Sequence, residues 1–284
     1  MAINVDTDKL PEESKASTPE TKYIPAGNQL ARLVSYVELG KHFQKFKGQF
    51  ATYDSGKLKG KNKPPCMHIA LTFEFPQCEY TGDYPLTLTT SAMLKNGEFM
   101  NALTVPPSLE EGKMSLANAL RTRFLKYLKA LQAATGLNYT SIADFAKDQV
   151  GLMINVTNRN GKGDNSDKVY ANMKPEGIQA PKFTHPGTGK EEIFEVPEAL
   201  GEYCTTFEWD APTAEAWKAL KPWDRKIIKD ATNFMGSPIH VLLESDPELD
   251  QLDKTKDESS DEPEQPADSK DEVTPPGPDE DLPV

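Results

Sequence analysis

The sequence is poor in cysteine, has no long apolar run and carries no catalytic signature. Its three cysteines, Cys66, Cys78 and Cys204, sit at irregular spacing. An odd count without a repeating pattern excludes a disulfide framework and points to a reducing compartment. No apolar run approaches the roughly 20 residues that span a bilayer. The opening MAINVDTDKLPEESK has no apolar centre of the kind a secretory leader needs. The expected setting is the cytoplasm, without a membrane partner.

The chemistry that is missing narrows the function classes. GKLKGKNK and NGKGDNS are rich in glycine and lysine, but neither gives the Gly-x4-Gly-Lys-Ser/Thr phosphate loop. His42, His68, His185 and His240 are scattered. Cys66, His68 and Cys78 offer three zinc-ligand types, but their spacing matches no usual structural site and no fourth ligand stands beside them. Asp164 and Asp167 are too few for a calcium loop. No cofactor is expected, and the chain reads as a binding protein rather than an enzyme.

Charge is present in quantity but unevenly placed. The chain carries a net −12. From residue 244 to the end there are 16 Asp/Glu against three Lys, a net −13. Residues 22–243 have a small positive excess of four. An acidic tail on a mildly basic body is the asymmetry of proteins that handle polyanions. Residues 1–21 are polar and acidic without periodicity, and residues 244–284 contain no aromatic residue. Neither segment can bury enough apolar surface to offset its chain entropy, so both are expected to be disordered.

The body between them, 22–243, starts as β structure. Residues 29–39 (QLARLVSYVEL) are bounded by Gly27 and Gly40, and 43–53 could continue the strand. In CMHIALTFEF, Met67, Ile69, Leu71, Phe73 and Phe75 fall on one face of a strand. Residues 85–94 repeat that period, and Asn96–Gly97 signals a hairpin. Leu116, Leu120, Phe124, Leu128 and Leu131 predict one helix over 115–134, ended by Gly136. A short helix over 141–148 follows. Strands are then expected at 150–157 and 168–173 around a polar turn, and helices at 213–220 and 223–234. This order fits a mainly β (α+β) fold: a five-stranded OB-type Greek-key barrel with added helices. It also fits a generic α+β domain.

The densest local feature is KHFQKFKGQFATYDSGKLKGKNKPP, residues 41–65. It holds Lys41, Lys45, Lys47, Lys57, Lys59, Lys61 and Lys63 against one acid, Asp54, with Phe43, Phe46, Phe50 and Tyr53 interleaved. Lysines neutralise phosphates and release counterions, while aromatic faces stack unpaired bases without reading sequence. The bland alternative is core aromatics and a solvated lysine loop. A second basic group, Arg159, Lys162, Lys168 and Tyr170, occupies the late hairpin. In an OB barrel the loops after strands one and four flank the binding face, and these two segments would fall there. Arg121, Arg123, Lys126 and Lys129 on the predicted helix either extend the basic surface or form an ordinary solvated face.

Three stretches resemble a known family. IPAGNQLARLVSYVELGKHFQKFKG (24–48) is similar to the start of phage-encoded single-stranded DNA-binding proteins, and ATNFMGSPIHVLL (231–243) to the end of their folded part. The acidic tail with its apolar tip resembles those of bacterial and phage proteins of this class. The resemblance implies an OB fold, sequence-independent binding of single strands in phage replication, recombination or repair, and no cofactor. The compartment would then be the host bacterial cytoplasm. It also implies a tail that competes with DNA and contacts replication or recombination proteins through Asp279, Glu280, Asp281, Leu282, Pro283 and Val284, with a homo-oligomer left open. The best-known bacterial tails end in Phe, whereas this one ends Leu-Pro-Val. Three other classes compete with this reading: an acidic-tailed interaction module or DNA mimic, a metal-dependent DNA-processing enzyme, and a structural virion protein.

Overall fold

Gly27–His42 forms one 16-residue strand, β1, that continues through Gly40, with shifts of register between Leu33 and Ser35 and between Glu38 and Gly40. A computed structural model gives the structure for residues 23–79, 85–93, 97–161, 168–199 and 205–252. After β1 come the two-residue strands β2 (Lys45–Phe46) and β3 (Gln49–Phe50), the long β4 (Cys66–Glu79), then β5 (Pro85–Thr89), β6 (Ala92–Met93), β7 (Phe99–Met100) and β8 (Leu103–Val105). Helices α1 (Pro107–Glu110), α2 (Leu116–Ala119), α3 (Arg123–Thr135) and α4 (Ile142–Lys147) follow. The chain returns through β9 (Gly151–Asn160), β10 (Val169–Gln179), β11 (Lys182–Thr184), β12 (Glu191–Ile193) and β13 (Thr205–Phe207). It finishes in α5 (Ala214–Ala219), α6 (Pro222–Lys229), α7 (Pro238–Ser245) and α8 (Pro247–Gln251).

β1 is the spine of a large, mainly antiparallel sheet ordered β10-β9-β1-β4-β5. Its first half pairs with β9, Gly27 opposite Val156 and Arg32 opposite Gly151. Its second half pairs with β4, ending with His42 opposite Cys66. β13 joins Ser35–Val37 in parallel, and β8 pairs the start of β4. Among the described residues no pairing joins β10 to β5, so the sheet is not closed and the expected five-stranded barrel is not formed by strand pairing. The fold is mainly β, with a large antiparallel sheet and several helices.

The sheet is covered on both faces. On one face Ile69, Leu71, Phe73 and Phe75 are buried, as their alternation predicts, and pack with Leu33, Leu152, Ile154 and the inner side of α3 and α4. The other face carries a second core. There Val37, Leu39 and Ala70 meet Phe207, Trp209, Trp217, Ile227, Ile239 and Leu243. Thr72 and Glu74, which share the face of Ala70 on β4, are also buried, although alternation alone would send them to solvent.

Two expectations are corrected. The helix predicted over 115–134 is broken at Thr122, which has extended backbone and whose hydroxyl accepts from Leu125 N–H as the N-cap of α3. The apolar period therefore fails before it: Leu116 and Leu120 are exposed, not core. The expected boundary at 244 falls inside the folded body. Leu249 of α8 is fully buried in the second core, and its carbonyl accepts from Trp217 Nε1 at 3.1 Å. Residues 253–284, including the whole apolar tip, lie outside the described residues, as do 1–21.

Gly40 marks where β1 turns toward the candidate site. Its φ is +89°, and a Cβ there would lie 2.5 Å from Ala231 Cβ and collide with the Trp209 ring. Only glycine fits that conformation and that contact. The next residue is clamped from the same direction. Lys41 N–H donates to Asn233 Oδ1 at 2.7 Å, and its carbonyl accepts from Thr232 N–H and Oγ1, each at 2.8 Å. The two internal stretches that carry the resemblance thus pack on each other.

Candidate nucleic-acid interface

Beyond His42 the chain leaves the sheet as an arm, residues 43–65. β2 and β3 pair through a two-residue turn at Lys47 and Gly48, whose φ values are +50° and +76°. Both signs are those of a type I′ hairpin turn, which matches strand twist. The return stretch is laced to the hairpin by Ala51 N–H on Gln44 O (2.8 Å), Lys63 N–H on Ala51 O (2.8 Å) and Tyr53 N–H on Lys61 O (3.0 Å). A lysine-rich segment with no core of its own is held in shape by these backbone bonds.

The arm turns its phenylalanines outward. Phe46 is 62% exposed, Phe50 47% and Phe43 36%, while Tyr53 is half-buried. The Phe43 and Phe50 rings meet edge to face at 5.3 Å. Lys45 Nζ lies 5.6 Å from the Phe50 centroid and Lys47 Nζ 5.9 Å from that of Phe46. Phenylalanines left in water beside ammonium groups are unfavourable for a free protein and suitable for stacking bases that carry phosphates. Lys47, Lys57, Lys59 and Lys61 are exposed and Lys45 and Lys63 half-buried, and among the described residues none of the six meets a carboxylate at ion-pair distance. Lys41 differs, since its Nζ is bound to Glu110 at 2.7 Å.

The second predicted group lies elsewhere. Arg159 and Tyr170 are direct partners across β9 and β10, with the guanidinium 5.8 Å from the ring centroid. By register Arg159 sits beyond the start of β1, whereas the arm follows its end. Among the described residues no hydrogen bond, ion pair or ring contact joins the two groups directly. Lys168 is half-buried and its carbonyl accepts from Gly161 N–H at 2.8 Å. Lys162, Asp164 and Asp167 lie outside the described residues.

Under the arm is a buried aromatic step that the sequence did not reveal. His68 stacks on Phe99 at 3.9 Å, with His42 at 5.7 Å, and neither His68 nitrogen is bonded to a protein group. Burial pushes the His68 pKa down to about 3, and the neighbouring His42 adds to the shift. The ring is therefore neutral when folded and protonates near its ordinary 6.5 when unfolded. Between these values the unfolded state binds the extra proton, so stability is full above pH 6.5 and falls as pH drops toward 3. The expected loss from this group is about 1.4 kcal/mol per pH unit. Urea midpoints of wild type and His68→Leu between pH 7 and pH 5 check it: the variant should have the shallower decline, and parallel curves would contradict it.

Other buried ionisable groups are used structurally. Glu38 accepts from Tyr36 Oη and Trp209 N–H, both at 2.6 Å, and burial raises its pKa. The Cys66 thiol is buried, donates to Pro64 O at 3.6 Å and is pushed up by desolvation, which makes it a poor nucleophile. Among the described residues no group of three His, Cys, Asp or Glu could hold a metal, and no helix is long and apolar enough to cross a membrane. No family model and no curated protein matches the chain.

Proposed function

We propose that the chain is a sequence-independent single-stranded DNA-binding protein serving phage DNA replication, recombination or repair. The observation that carries this reading is the arm: three outward phenylalanines, two with an ammonium group near the ring, beside lysines that, Lys41 apart, meet no carboxylate among the described residues. The sheet supports it. The order β10-β9-β1-β4-β5, with α3 between β5 and β9, is compatible with an OB-type arrangement, although among the described residues no pairing closes it. The finer OB assignment belongs to this proposal, as do the replication or recombination partners at Asp279–Val284.

The acidic segment acts as a tethered competitor. Residues 253–284 carry 12 Asp/Glu against three Lys. A tether gives such a polyanion an effective concentration of up to about millimolar at the basic surface. DNA on the arm displaces it and frees the Leu-Pro-Val tip for a partner.

Two truncations test this by fluorescence anisotropy on a labelled oligonucleotide. Deleting residues 253–284 should tighten single-strand binding and leave stability unchanged. Deleting from 244 removes Leu249 from the second core and should cost about 2–5 kcal/mol of stability. Weaker or unchanged affinity after the 253–284 deletion would count against competition, and absence of binding by that protein at low salt would overturn the function.

A further inference from the structure

The strongest unassigned feature is a cleft of about 310 Å³ between the start of α3 and β10. Among the described residues, Arg121, Arg123, Lys126 and Lys174 line it against a single carboxylate, Glu176. That carboxylate lies 3.8 Å from Lys126 Nζ and is itself exposed, so the cleft keeps a surplus of three positive charges. A solvated helix face spreads its charges outward. Here cations from two elements, 48 residues apart in sequence, converge on one concavity. The first turn of the 13-residue α3 contains no acid, so the positive end of its helix dipole is not offset by a carboxylate of its own.

The cleft is joined to the arm by one short segment, 97–101. At its near end Gly48 N–H donates to Glu98 Oε1, and the Lys45 ammonium lies against Gly97. At its far end Asn101 lines the cleft, next to the exposed Met100. Gly97 and Asn101 can be no more than about 14 Å apart along the chain. Past the cleft, β10 alternates: Met173 goes to the first core, while Tyr170 and Asn172 take the opposite face, toward Arg159.

We propose that this cleft holds the backbone phosphates of the same single strand whose bases stack on the arm. The strand runs from Phe46 and Phe50 across Met100, through Arg121, Lys126 and Lys174, to Tyr170 and Arg159. The inference rests on the proposed function and adds the path, which joins the two separate basic groups.

The test measures affinity of the full chain for labelled 30-nucleotide oligo(dT) across a salt series. Each phosphate contact contributes about 0.7 to the log–log slope on single strands. R121Q/K126Q/K174Q should bind at least about tenfold more weakly at low salt and lose about 2 from the slope. K57Q/K59Q/K61Q, on the arm, should weaken binding independently. E176Q removes the only carboxylate among the described residues of the cleft and should tighten binding several-fold, a gain that misfolding cannot produce. A cleft triple variant with wild-type affinity and slope, beside a weakened arm variant, overturns the inference and leaves the function standing. Unchanged affinity in E176Q also counts against it. No binding by the wild-type chain overturns both.

Discussion

Phe46→Ala and Phe50→Ala should each weaken single-strand binding by about 5- to 150-fold, while leaving the fold intact. The magnitude follows from about 1–3 kcal/mol per stacked base, at 1.4 kcal/mol per factor of ten. Stability should change by less than about 0.5 kcal/mol, because both rings are exposed and neither is part of a core. Phe43→Ala should be non-additive with Phe50→Ala, since those two rings touch at 5.3 Å. Phe46 touches neither ring and should add to either. Anisotropy gives the affinities and urea unfolding the stabilities. Loss of stability without loss of affinity would return the phenylalanines to a packing role and remove the main support for stacking.

Gly40→Ala should be the most damaging small substitution in the body. The methyl group would have to enter space held by Ala231 and Trp209, on a backbone of positive φ. Positive φ costs a side chain about 1–2 kcal/mol, and overpacking adds about 1–3. A loss of roughly 2–5 kcal/mol is a large share of the 5–15 kcal/mol typical of a domain. The effect should reach the arm, because Gly40 precedes the Lys41 clamp to Thr232 and Asn233. Gly48→Asn is the control. It also has positive φ but nothing near its Cβ position, and asparagine tolerates that conformation. Equal losses in the two variants would refute the argument from contact.

The parts of the fold that could be read in advance are those where one physical period dominates. Ile69, Leu71, Phe73 and Phe75 alternate because one face of β4 meets the first core. β1 was expected to stop before Gly40, because glycine usually punctuates a strand. Here the glycine is required by Trp209, a residue 169 positions away, and no local pattern announces such a contact. The break at Thr122 was hidden for a similar reason: the apolar spacing runs on through it, and only the cap shows that the helix starts again. α7 was not expected, although its start carries local signals: Ser237 is the N-cap and Pro238 the first helical residue.

Composition marked the arm as basic and aromatic but could not say which rings face water. That was decided by the turn at Lys47 and Gly48, which sets the hairpin. The cleft was beyond sequence reading altogether. Arg121 and Lys126 meet Lys174 only because α3 packs on β10, so three of the four helix cations, Arg121, Arg123 and Lys126, join Lys174 in one wall of a concave site, while Lys129 does not.

The central claim is that this surface binds single strands through phosphates and stacking rather than through base sequence. Its most direct measurement is the affinity of the full chain for two labelled 30-nucleotide strands, oligo(dT) and a mixed sequence, from low to physiological salt. The account predicts binding to both, affinities within a few-fold of each other, and a linear fall of log K with log salt. Absence of binding to either strand at low salt, or affinity that does not change with salt, would contradict it.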